Sequence, residues 1–107
     1  MPVYNKLVRD RIPEITEKDR KEFETKILDD KEYIDSLKEK LQEELNEYLI
    51  AENDEEALKE MADLLELMHA LANVHGESMD KVEEIRKDKA EKRGAFKEQI
   101  YLVEVQD

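Results

Sequence analysis

The sequence predicts a mainly α protein: an antiparallel helical bundle with a small β element, one domain over residues 1–107, assembled as a homo-oligomer. Three observations carry this reading. Apolar residues recur every three or four positions through most of the chain, as they do on amphipathic helices. Only two prolines and two glycines interrupt them. A chain of 107 residues encloses only a modest core, so apolar faces shared between copies would add stability.

The elements follow in order. A short helix is expected to begin near Pro13, because proline is tolerated in a first turn, and to fade into the polar run 17–21. Residues 23–28, "FETKIL", suit a short strand, with Thr25 and Ile27 β-branched. Asp29 then offers an N-cap, with Glu32 at capping-box spacing. From there Ile34, Leu37, Leu41, Leu45 and Tyr48 draw one stripe along a long helix to about Ala51. "ENDEE" makes a turn, with Asn53 or Asp54 capping a second long helix over about 55–75 that stops at Gly76. Ser78 caps a further helix, with Met79, Val82 and Ile85 inward, ending at Gly94. The closing "FKEQIYLVEV" alternates at Tyr101, Val103 and Val105 and could pair as a strand with 23–28.

Charge and composition exclude several classes. Thirty acidic against eighteen basic residues leave a net charge of −12, which argues against a partner that is a nucleic-acid polymer, since phosphate neutralisation needs basic surface. There is no cysteine, so disulfides and thiolate metal sites are excluded, and a reducing, cytoplasmic setting fits. No stretch has signal-peptide or membrane-spanning character, so no membrane partner is expected. Charged residues make up 45% of the chain, yet the patterned apolar positions argue against disorder.

Most acidic residues here are solvated surface; the informative ones are those placed where solvation is poor. Along the helix 55–75, apolar positions cover nearly the whole circumference of the second half, so neighbours should enclose it. Glu60 and Asp63 fall on the side of Leu67 and Val74, away from the polar strip of Glu66 and Asn73. A carboxylate there has to be paired, protonated or bound to a cation. The preceding helix supplies a matching set in "QEELNEYL": Glu43, Glu44 and Glu47. Glu44 and Glu47 are three apart, as are Glu60 and Asp63, so each pair projects from one helix face. The short turn makes the two helices antiparallel neighbours, and facing pairs would gather four or five carboxylates in one small volume. All-oxygen ligands select hard cations, Mg²⁺ first and Mn²⁺ next.

Basic residues bracket this acidic body. Near the start, "YNKLVRDRIP" threads Lys6, Arg9 and Arg11 between Leu7, Val8 and Ile12. A solubilising tail would not need those apolar residues, so the segment should pack with its cations aimed at something. Lys89, Lys92 and Arg93 offer cations from the far end, although basic residues before Gly94 also suit ordinary helix termination. His69 and His75 draw attention, and Glu66 with His69 makes an E-x-x-H spacing. Di-iron bundles need two such motifs, so His69 is read as a packing histidine.

"YNKLVRDRIP", "KLQEELNEY", "EMADLLELMHAL" and "KRGAFKEQIYL" together resemble the MazG-like all-α nucleoside triphosphate pyrophosphohydrolases, in particular the small phosphoribosyl-ATP pyrophosphohydrolase-like members. The resemblance runs over nearly the whole chain, and Glu43, Glu44, Glu47, Glu60 and Asp63 match the acidic motif. It implies Mg²⁺-dependent cleavage of a nucleoside triphosphate between the α and β phosphates, giving the monophosphate and pyrophosphate. Carried over by position, Glu44, Glu47, Glu60 and Asp63 look like metal ligands and Glu43 like a supporting base. Lys6, Arg9, Arg11, Lys92 and Arg93 would stabilise charge on the substrate phosphates. Helices from two subunits usually complete such sites, so a homodimer or homotetramer is expected. The alternatives are a phosphoribosyl-ATP substrate, or a non-catalytic acidic helical module that binds another protein.

Overall fold

The computed structural model describes residues 3–107, which form four helices: α1 (Ile12–Lys18), α2 (Asp30–Leu49), α3 (Asp54–Val74) and α4 (Met79–Arg93). Each expected cap is made. Asp29 accepts from the Glu32 N–H at 2.8 Å, Asn53 from the Glu56 N–H at 2.9 Å, and Ser78 from the Asp80 N–H at 3.3 Å. These bonds satisfy donors that the first turn of a helix leaves without partners. α3 ends as a Schellman turn: the Glu77 N–H reaches the Ala72 carbonyl and the Gly76 N–H the Asn73 carbonyl, both at 3.0 Å. Gly76 has φ +77° there, a left-handed conformation in which a side chain would be strained.

α2 and α3 are joined by residues 50–53 and pack along their length as an antiparallel hairpin. Leu37 on α2, at 2% exposure, and Leu67 on α3 are buried in it, flanked by half-buried Ile34, Leu41, Leu64 and Leu71. α4 packs more sparingly on α3, and α1 packs on no other helix. None of the helices is long and apolar enough to cross a membrane.

Two expectations about the fold need correction, besides Ile85, expected inward on α4 and exposed there. No strand forms among the described residues. The segments 23–28 and 96–105 lack helix and ladder alike, and Ile27, Phe96 and Tyr101 lie open to solvent. A two-stranded ribbon is marginal without a packed face, and no helix offers one here. The second correction concerns α3, which is not enclosed on all sides. It carries two apolar stripes about 120° apart round the helix. Leu64, Leu67, Leu71 and Val74 face inward, while Leu58, Met61, Leu65 and Met68 remain exposed.

Extension accompanies that openness. The chain presents 10338 Å² of accessible surface, where a compact monomer of this mass presents about 6,200 Å². Its radius of gyration is 18.5 Å, against about 13 Å for a compact chain of this length.

Leu37 anchors the hairpin. Leu37→Ala is expected to lower stability by about 2–5 kcal/mol, the range for emptying a packed leucine site. Urea unfolding at fixed protein concentration checks this; a loss within error of zero would place the core elsewhere.

Candidate metal centre

The packing that buries Leu37 against Leu67 also sets the register of the acidic residues. Glu44 lies close to the apolar stripe of α2, and Glu60 falls on the inward stripe of α3 with Asp63 one turn further on. The hairpin therefore brings Glu44, Glu60 and Asp63 together, all three half-buried, with one carboxylate oxygen of each within 4.8 Å of the others. Glu60 Oε2 is shielded from solvent and has no hydrogen-bond partner. That is the position of an acceptor waiting for a cation or a proton.

The energetics follow from the crowding. Burial pushes the Glu44 carboxyl up from its ordinary 4.5 to about 7, reinforced by a hydrogen bond with Glu60 and by the charges of Glu60 and Asp63, and opposed by Lys40. Two carboxyl groups share a hydrogen bond only when one holds a proton, so near neutrality the cluster is poised between keeping that proton and exchanging it for another cation.

The other site residues are distributed as follows. Glu43 is half-buried and pairs with Lys6 at 3.1 Å. Arg9 donates to Asp63 at 2.7 Å. The opening cations Lys6 and Arg9 are thus aimed at the acidic group. Arg11 is not: from the N-cap position of α1 it pairs with Glu14 in that helix's first turn at 3.3 Å. Glu47 is exposed and stands outside the three-carboxylate group, turned about 60° round α2 from Glu44. Lys92 pairs with Asp88 at 3.1 Å within α4, and Arg93 occupies the last turn of that helix. His69 and His75 are exposed, so His69 does not pack within this chain as expected.

Sequence reasoning missed one cation. Lys40 lies one turn before Glu44, with its Nζ 3.9 Å away and its side chain only 24% exposed. The i, i+4 spacing of Lys40 and Glu44 was available as a signal, but such pairs are so common in this chain that it did not stand out.

The three clustered carboxylates suit a hard cation. An octahedral Mg²⁺ at about 2.0–2.1 Å from each oxygen spaces its ligands about 2.9 Å apart in cis and about 4.2 Å in trans. Carboxylate oxygens within 4.8 Å need little closure to meet that geometry. Glu44, Glu60 and Asp63 could therefore hold a metal ion.

An all-helical chain with carboxylates converging across an antiparallel hairpin fits the class of MazG-like all-α nucleoside triphosphate pyrophosphohydrolases. Within that class, the family model described as phosphoribosyl-ATP pyrophosphohydrolase matches residues 4–90, and the chain belongs to this family. By class it is a pyrophosphohydrolase, a hydrolase acting on phosphoanhydride bonds. The matched stretch contains the whole acidic set with Lys6, Arg9 and Arg11, and ends before Lys92 and Arg93. No curated protein and no solved structure matches the chain.

The raised pKa of Glu44 makes a signed prediction for the metal-free protein. Between 4.5 and about 7 the folded state keeps a proton that the unfolded chain has released. The associated stability is fully present below pH 4.5 and is lost as pH rises through 7. In chelator, wild type should therefore lose thermal stability relative to Glu44→Gln across that window. A difference between the two proteins that stays constant from pH 4.5 to 8 would remove Glu44 as the cause.

Proposed function

We propose that this protein is a Mg²⁺-dependent nucleotide pyrophosphohydrolase. It cleaves a nucleoside triphosphate between the α and β phosphates, releasing the monophosphate and pyrophosphate, and serves cytoplasmic nucleotide-pool housecleaning. The single observation that carries this reading is the convergence of Glu44, Glu60 and Asp63 from two helices in a member of a pyrophosphohydrolase family.

In the proposed mechanism Glu44, Glu60 and Asp63 would hold the metal, and Glu47, exposed on the next turn of α2, would offer a fourth carboxylate. Mn²⁺ would serve in place of Mg²⁺. The bound ion supplies Lewis acidity and neutralises charge on the phosphates. Glu43, oriented by Lys6, is the carboxylate left to take the proton of an attacking water. Lys6, Arg9 and Arg11, with Lys92 and Arg93 from the end of α4, would offset the negative charge of the phosphates.

The assembly is proposed to be a homodimer or homotetramer. The outward stripe of α3 is the surface such an assembly would cover, and an excess of about 4,000 Å² over a compact monomer is ample for an obligate interface. Light scattering is expected to give at least twice the monomer mass. Leu65→Glu, on the outward stripe, is expected to shift the protein towards monomer; a wild type that stays monomeric at high concentration would reject the proposal.

The family's name favours phosphoribosyl-ATP as a second substrate candidate. Pyrophosphate release from a panel of standard and modified nucleoside triphosphates and phosphoribosyl-ATP ranks the two. Metal-dependent release is expected, with chelator, Glu60→Gln and Asp63→Asn each reducing turnover at least 100-fold while circular dichroism retains the helices. Silence towards every substrate would leave the acidic protein-binding module as the reading to pursue.

A further inference from the structure

Residues 3–11 form a basic strap laid against the α2–α3 hairpin. Its two ion pairs, Lys6 to Glu43 and Arg9 to Asp63, span 37 and 54 positions of sequence and both end at the acidic site. The other ion pairs of the described residues join positions at most six apart. α1, which follows the strap, packs on no other helix. Apart from half-buried Leu7, the strap's hold on the hairpin thus depends on carboxylates of the site itself.

Arg9 and a metal ion would make conflicting demands on one group. The guanidinium donates to Asp63 Oδ1 at 2.7 Å, while Asp63 is one of the three carboxylates that converge. A guanidinium cannot lose its charge near neutrality, so a divalent ion entering the cluster meets both a competitor for Asp63 and a repelling cation. The Arg9 and Asp63 side chains are 57% and 38% exposed. Exposed pairs of this kind are weak and readily exchanged.

We infer that Arg9 is a displaceable counter-ion of the metal site: it holds Asp63 while the metal is absent and is released when a divalent cation binds, which frees the strap to meet the anionic substrate. This rests on the metal reading given above. Linkage makes the effect reciprocal, so the metal loosens the strap by the same factor by which Arg9 weakens the metal.

Titration calorimetry with MgCl₂ and MnCl₂, on wild type, Arg9→Gln and Lys6→Gln, tests the inference together with limited trypsin digestion. Arg9→Gln is expected to bind either ion more tightly by roughly 1.4- to fivefold, the range that exposed ion-pair strengths span. Lys6→Gln, whose partner Glu43 lies outside the three-carboxylate group, should gain less. In wild type, Mg²⁺ should speed cleavage after Lys6, Arg9 and Arg11; in Arg9→Gln, which keeps the Lys6 and Arg11 sites, cleavage there should be fast with or without the ion. Unchanged or weaker binding by Arg9→Gln would overturn the inference and make Arg9 a residue that positions Asp63. Cleavage of the wild-type strap that Mg²⁺ slows would overturn it as well. Absence of binding of either ion by all three proteins would defeat the metal reading along with it.

Discussion

The antiparallel register of α2 and α3 is the constraint on which the rest depends. One hairpin has to bury Leu37 and Leu67, and the same side-chain rows that bury them also carry Glu44 and Glu60. The core therefore cannot close without gathering the carboxylates, and the carboxylates cannot disperse without opening the core. A slip of one residue would rotate each helix by about 100°, exposing the leucines and scattering the acids together. The caps at Asp29 and Asn53 and the Schellman turn at Gly76 help to hold that register, because they fix where each helix begins and ends.

That coupling carries an electrostatic penalty. Three half-buried carboxylates in mutual reach repel one another where solvent screens poorly. The chain answers with cations of its own: Lys40 from the same helix, 3.9 Å from Glu44, and Arg9 and Lys6 from the strap. All three are single charges, and the two from the strap are the more exposed. They moderate the cluster without resolving it.

The helices were legible in the sequence because their signals are local. Asp29, Asn53, Ser78, Gly76 and Gly94 mark ends that the structure places within two residues of expectation. Glu60 and Asp63 were legible because helical geometry alone sets them on the side of Leu67. Glu47 was harder, since its i, i+3 spacing from Glu44 says that the two residues share a face but not how far that face turns from the partner helix. In this chain the turn leaves Glu47 exposed. The strap's targets were not legible either. Lys6 and Arg9 find Glu43 and Asp63 across long spans of chain, and only tertiary contact shows which acids they meet. Alternation in 23–28 and 96–105 records which side chains want cover, and it does not say whether that cover comes from this chain or from another copy.

The state of Glu44 argues for what the cluster lacks. Lys40 stands beside it and Arg9 pairs with Asp63, yet the carboxyl is still held up to about 7. Burial is the main cause of that rise, with the charges of Glu60 and Asp63 adding to it and Lys40 only partly opposing them. A proton on Glu44 supplies one charge and lets it donate to Glu60, whose shielded Oε2 otherwise has no partner. A divalent ion would do more than that proton, because it brings two charges and accepts several oxygens at once. The three carboxylates thus form a donor set that could hold a divalent cation.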